Sequence, residues 1–128
     1  DIGYVVVDER ILKKAGGLTD EEMAEVKKHP EAGFRIAESS RIAANIATYT
    51  LHHHEWWDGT GYPHGLKGTE IPLLSRVISI ADAYDAMTHD RPYRKAMSEK
   101  AAIAELERCS GTQFDPELVP IFISVVNT

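Results

Sequence analysis

The chain is 128 residues long, which is material for one domain. Hydrophobic residues make up 43% of it and charged residues 27%, a balance that excludes disorder, collagen-like sequence and low complexity. The formal net charge of −6 disfavours duplex nucleic acid as a partner, and a single cysteine, Cys109, allows no internal disulfide.

The first elements are short. Residues 4–7 read as a strand, and the opening DIGYVVVDER lacks the basic start of a signal peptide. In 18–28, Thr19 is a capping residue and Glu22, three positions on, completes a capping box. Pro30 disfavours helical geometry at His29, so the chain bends or restarts there, and a second helix runs over 31–38. Residues 41–53 are uncharged after Arg41 and apolar at Ile42, Ile46, Tyr49 and Leu51, the pattern of a buried helix.

Residues 58–72 hold four glycines and two prolines and therefore form a loop, of a length usually tied to function. Helical periodicity resumes over 73–88, with Leu73, Val77, Ile80, Ala81, Tyr84 and Met87 on one broad face. Ser98 caps 98–109, with Gly111 just beyond its end, and Asp115-Pro116 opens 115–126. The expected architecture is an all-α domain over residues 1–128, with about six helices and one long Gly/Pro-rich loop. A membrane span needs about 20 apolar residues, and the best candidate, 118–128, is too short and contains Pro120. A cytoplasmic domain without membrane contact is expected.

Histidine placement carries the chemistry. His52, His53 and His54, followed by Glu55, sit where a buried helix meets the glycine-rich loop. Neighbours on a helix point about 100° apart, so they suit two close ions better than one; a solvated helix end is the competing reading. Asp82 lies in VISIADAYDAM, whose residues should be mostly buried, and a buried carboxylate needs a metal or another partner. Asp85 is better assigned to Arg91 or Arg94. His29 at the helix break and Asp1 complete a His/Asp set that suits iron, manganese or zinc better than calcium or magnesium. His64 and His89 read as solvent-facing. The run RPYRK, 91–95, is either a solvated basic turn or a grip for phosphate or a guanine edge.

The strings HHEWWDGTGYPHGLKGTEIP, RVISIADAYDAMTHDRPYRKA and GTQFDPELV, in that order, resemble the HD-GYP family of metal-dependent phosphohydrolases over about residues 1–122. The resemblance implies a helical HD-type fold with two or three divalent metals, iron or manganese. It implies cleavage of cyclic di-GMP to the linear dinucleotide and, in some members of the family, onward to GMP. Asp1, His29, His53, His54 and Asp82 match the family's metal ligands, with Asp1, His53, His54 and Asp82 at the catalytic centre. Tyr62, Arg91 and Arg94 match substrate-binding positions. An upstream sensor or receiver domain and a GGDEF-type partner are implied as well, and apolar surface left uncovered without the family's upstream helices points to a homo-oligomer.

Departures from the family pattern point to reduced activity. The histidine that precedes the aspartate in the family's pair, and the upstream Glu and His ligands, are not in this chain. Tyr4 stands where the family has a phosphate-contacting lysine, and Val6 where glycine is usual. A degenerate domain that senses cyclic dinucleotides or binds a protein is the alternative.

Overall fold

The computed structural model describes residues 7, 9–14, 16–39 and 47–128, with backbone alone at 37–39. In chain order the helices are α1 (Glu9–Leu12), α2 (Asp20–Val26), α3 (His29–Ser39), α4 (Ala47–Leu51), α5 (Leu73–Thr88), α6 (Glu99–Arg108) and α7 (Leu118–Val126), with a 3-10 turn at Gly68–Glu70. Only isolated bridges, Arg91 with Arg94 and Ser110 with Phe114, add extended pairing among the described residues. The all-α expectation holds. Of the expected strand only Val7 is described, as a buried bend, and 41–46 of the expected third helix lie outside the described residues.

Local chemistry sets most boundaries. The Thr19 hydroxyl accepts from the Glu22 N–H at 3.1 Å and starts α2. The second half of the expected box is missing, because the Glu22 carboxylate takes Lys14 Nζ at 2.9 Å instead. His29 opens α3 with Pro30 in its first turn, where a missing N–H costs nothing. Ser98 Oγ accepts from the Ala101 N–H at 3.1 Å and caps α6. Asp115 accepts the Glu117 N–H at 2.9 Å, and the helix proper begins only at Leu118.

The core gathers Ile80 and Met87 of α5, Ala102 and Leu106 of α6, Phe114, and Val119 of α7. Helix α5 runs against α4, α6 and α7, while α3 packs on α4. The buried face of α5 is narrower than its sequence suggests: Leu73 is 54% and Val77 39% exposed, and Ala81 is exposed too. Leu73, Leu74, Val77 and Ile78 stay 39–54% exposed, so no described element covers this stripe fully.

Candidate metal centre

Three expected ligands meet at one point. His29 begins α3 and is fully buried, while His53 and His54 lie in the turn after α4, on which α3 packs. Ring centroids are 4.7 Å apart for His29 and His54, 5.6 Å for His29 and His53, and 4.0 Å for His53 and His54. One ring nitrogen from each lies within 4.8 Å of the others.

Helix ends aim these rings. The last carbonyls of a helix have no partner within it. His29 Nδ1 takes one of them, Val26 O, at 2.6 Å, and His53 Nδ1 takes another, Thr50 O, at 2.5 Å. A carbonyl only accepts, so both Nδ1 atoms carry the proton and the lone pair sits on Nε2. That is how metal-binding imidazoles are oriented.

Burial keeps the cluster neutral. It pushes His54 down to about 3, helped by the charges His53 and His29 would carry. Burial also brings His29 down to about 4, against the opposing pull of the Val26 carbonyl and the Asp82 carboxylate, and it lowers His53. His54 Nε2 is buried with no hydrogen-bond partner among the described residues. Three neutral imidazoles, two anchored and one with an unsatisfied buried nitrogen, fit a transition-metal ion.

The family model for the HD domain matches residues 1–118. The chain belongs to the HD domain family. It is 42% identical over 130 residues to a cyclic di-GMP phosphodiesterase of Thermotoga maritima, covering 98% of this chain and 34% of that protein. It is 42% identical over 127 residues to a cyclic di-GMP phosphodiesterase of Pseudomonas aeruginosa, covering 98% of this chain and 30% of the relative. This HD domain thus spans about a third of the length of the curated relatives it matches. The fold also matches an HD-GYP-type protein of Bdellovibrio bacteriovorus, with a TM-score of 0.74 at 18% identity, over 100% of this chain and 40% of that one. The resemblance to HD-GYP proteins drawn from the motifs holds.

Of the other expected site residues, Asp82 departs from its forecast. It is exposed on α5, so the burial argument for a metal partner fails. Its carboxylate still acts on His29 and His53, though it lies outside the three-histidine group. Asp1 and Tyr4 fall outside the described residues.

The Gly-Tyr-Pro loop of the HD domain closes over the histidines. Tyr62 lies parallel to His54, centroids 5.1 Å apart at 17°, and Lys27 Nζ sits 5.4 Å from the Tyr62 ring centre. The Tyr62 N–H donates to His54 O at 3.2 Å. Only glycine fits at 61: an added Cβ would meet Trp56 N at 2.3 Å and His54 O at 2.5 Å. Gly61→Ala is therefore expected to cost roughly 1–3 kcal/mol by overpacking, read in urea, and to weaken metal binding as the Tyr62–His54 stack moves. Unchanged stability would mean that the loop is free to shift away.

Beyond Asp82, the end of α5 holds the basic residues. Asp85 pairs with Arg91 at 3.8 Å and with His89 at 3.2 Å, as its sequence assignment anticipates. Arg94 Nη2 donates to Ala86 O at 3.0 Å, one turn on from Asp82, and its Nη1 is buried with no hydrogen-bond partner among the described residues. Sequence reasoning missed Glu55, Lys27 and His64. Glu55 is fully buried and accepts the N–H groups of His64, Gly65 and Leu66 at 2.8–3.3 Å. The i, i+3 spacing of His52 and Glu55 was the available signal. No described helix is long and apolar enough to cross a membrane.

Proposed function

We propose that this chain is the metal-dependent phosphodiesterase unit of a longer protein and hydrolyses cyclic di-GMP. The supporting observation is the convergence of His29, His53 and His54, neutral and part-anchored by helix ends, under the Gly-Tyr-Pro loop. His29, His53, His54, Asp82 and Asp1 would hold divalent ions, iron or manganese. Such ions lower the pKa of water toward neutrality and stabilise negative charge on phosphodiester oxygens.

The residues of the chain prepare that site. Neutral imidazoles accept a cation at pH 7 without first losing a proton. Tyr62 offers a flat face backed by His54, against which a base or ribose packs. Arg91 offers a guanidinium fork suited to phosphate or to a guanine edge, and Arg94, held to Ala86 O, adds a second substrate-directed positive charge. Tyr4 provides no positive charge where the family has a lysine, so turnover is slowed, and Tyr4→Lys raises it. An upstream sensor or receiver domain and a GGDEF-type partner belong to the same reading.

Protein loaded anaerobically with manganese or iron is expected to release linear dinucleotide from cyclic di-GMP. His54→Ala should lose at least about 100-fold of that turnover. Metal and cyclic di-GMP binding without hydrolysis, in Tyr4→Lys as well, would overturn the enzyme and leave a nucleotide sensor.

A further inference from the structure

We propose that His52, Glu55 and His64 form a second cation site of the zinc class, which clips the Gly-Tyr-Pro loop to the end of α4. The inference is independent of the phosphodiesterase reading. One donor atom from each of the three residues lies within 4.8 Å of the others, and the group shares no residue with His29, His53 and His54.

Spacing is the first argument. His52 is 9% exposed, and its buried Nδ1 has no hydrogen-bond partner among the described residues. The facing Glu55 Oε2 is 3.6 Å away, beyond hydrogen-bond range. Two donors on one tetrahedral zinc, with bonds of 2.0–2.2 Å, stand about 3.3–3.5 Å apart. The pair is thus set nearer to the edge of a metal tetrahedron than to a hydrogen bond.

Charge and lone pairs are the second. The Glu55 side chain is 0% exposed, and no Lys or Arg pairs with it among the described residues. Its Oε1 accepts from Gly65 N at 2.8 Å and Leu66 N at 3.3 Å, whereas among the described residues Oε2 accepts only from His64 N at 3.1 Å. A carboxylate oxygen has two lone pairs, so Oε2 keeps one for a cation. A buried anion without a cationic neighbour is costly, and a metal offsets that cost.

Access is the third. His64 is exposed and its ring lies 5.3 Å from the His52 ring, so the group reaches solvent through His64. Two imidazoles and one carboxylate, with water at a fourth position, suit zinc; calcium and magnesium prefer all-oxygen sets.

Cobalt(II) is the probe, read by its visible absorption and by elemental stoichiometry. His64→Gln alters an exposed side chain and is expected to weaken one cobalt site at least tenfold while another is retained; His52→Gln should do the same. His54→Ala, shown folded by circular dichroism, should still bind one cobalt with tetrahedral absorption. Zinc should slow proteolysis within 58–72 of the unsubstituted protein and not of His64→Gln. Equal cobalt stoichiometry and affinity in the unsubstituted, His52→Gln and His64→Gln proteins would overturn the site. So would a folded His54→Ala protein that binds no cobalt.

Discussion

Arg76→Ala is expected to cost about 3–5 kcal/mol, a drop on the order of 10–20 °C in Tm for a domain of this size. Arg76 Nη1 and Asp115 Oδ2 are 2.7 Å apart, with side chains only 15% and 3% exposed. Removing the guanidinium strands a buried carboxylate whose other oxygen accepts only the Glu117 N–H among the described residues. More than one pair is lost. Arg76 Nε also donates to Ile71 O at 2.9 Å and its guanidinium lies 5.9 Å from the Trp57 ring centre. One side chain therefore joins the end of the loop, the start of α5 and the turn into α7.

The partner experiment separates charge from shape. Arg76→Met with Asp115→Asn removes both charges and should recover most of the loss, since the desolvation cost disappears with the ions. Arg76→Lys keeps a charge but not the fork, and should fall between. The disturbance also reaches the loop, because Trp57 N donates to Gln113 O at 3.0 Å and Asp58 N to Thr112 O at 2.9 Å, both beside Asp115. A fall in Tm below about 3 °C for Arg76→Ala would show that water reaches Asp115 and that the pair is effectively solvent-exposed.

What the sequence made legible was local. Thr19 and Ser98 each accept the N–H that a capping residue should, and Pro30 sits in the first turn of α3, whereas Asp115 holds the Glu117 N–H ahead of α7 and does not cap it. His29 and the run His52–His54 stood out by residue type and place, the family resemblance singled out His53 and His54, and helix-end carbonyls orient His29 and His53. The errors were tertiary. The periodicity of α5 cannot report how many neighbours will cover it, so Val77 and Asp82 were read as more enclosed than they are. His64 looked like a loop histidine and is exposed, but the buried Glu55 carboxylate holds its backbone beside His52. Such a contact depends on how the loop folds back, which no spacing rule encodes.

Stripped of metal by chelation, the protein is expected to lose stability as pH falls below about 6.5, and His54→Phe is expected to restore part of it. Burial holds His29 near 4 and His54 near 3, against 6.5 in the unfolded chain. Between those values the unfolded state binds protons that the folded state refuses, so stability rises with pH across the window and is lost as pH falls through it. One unit below 6.5, each histidine costs on the order of 1 kcal/mol, and the pair roughly 2–3 kcal/mol. His53 is lowered as well and adds in the same direction. Phenylalanine at 54 removes one titrating ring and also the buried Nε2 that lacks a partner, worth about 1–3 kcal/mol by itself. The variant should therefore have the higher urea midpoint at pH 5.5 and a shallower pH slope, yet bind less metal at the three-histidine group. An unchanged slope would show that His54 is already protonated in the folded protein. A higher midpoint joined to weaker metal binding would identify this histidine as one that lowers the stability of the metal-free fold, a cost offset only when a cation is bound.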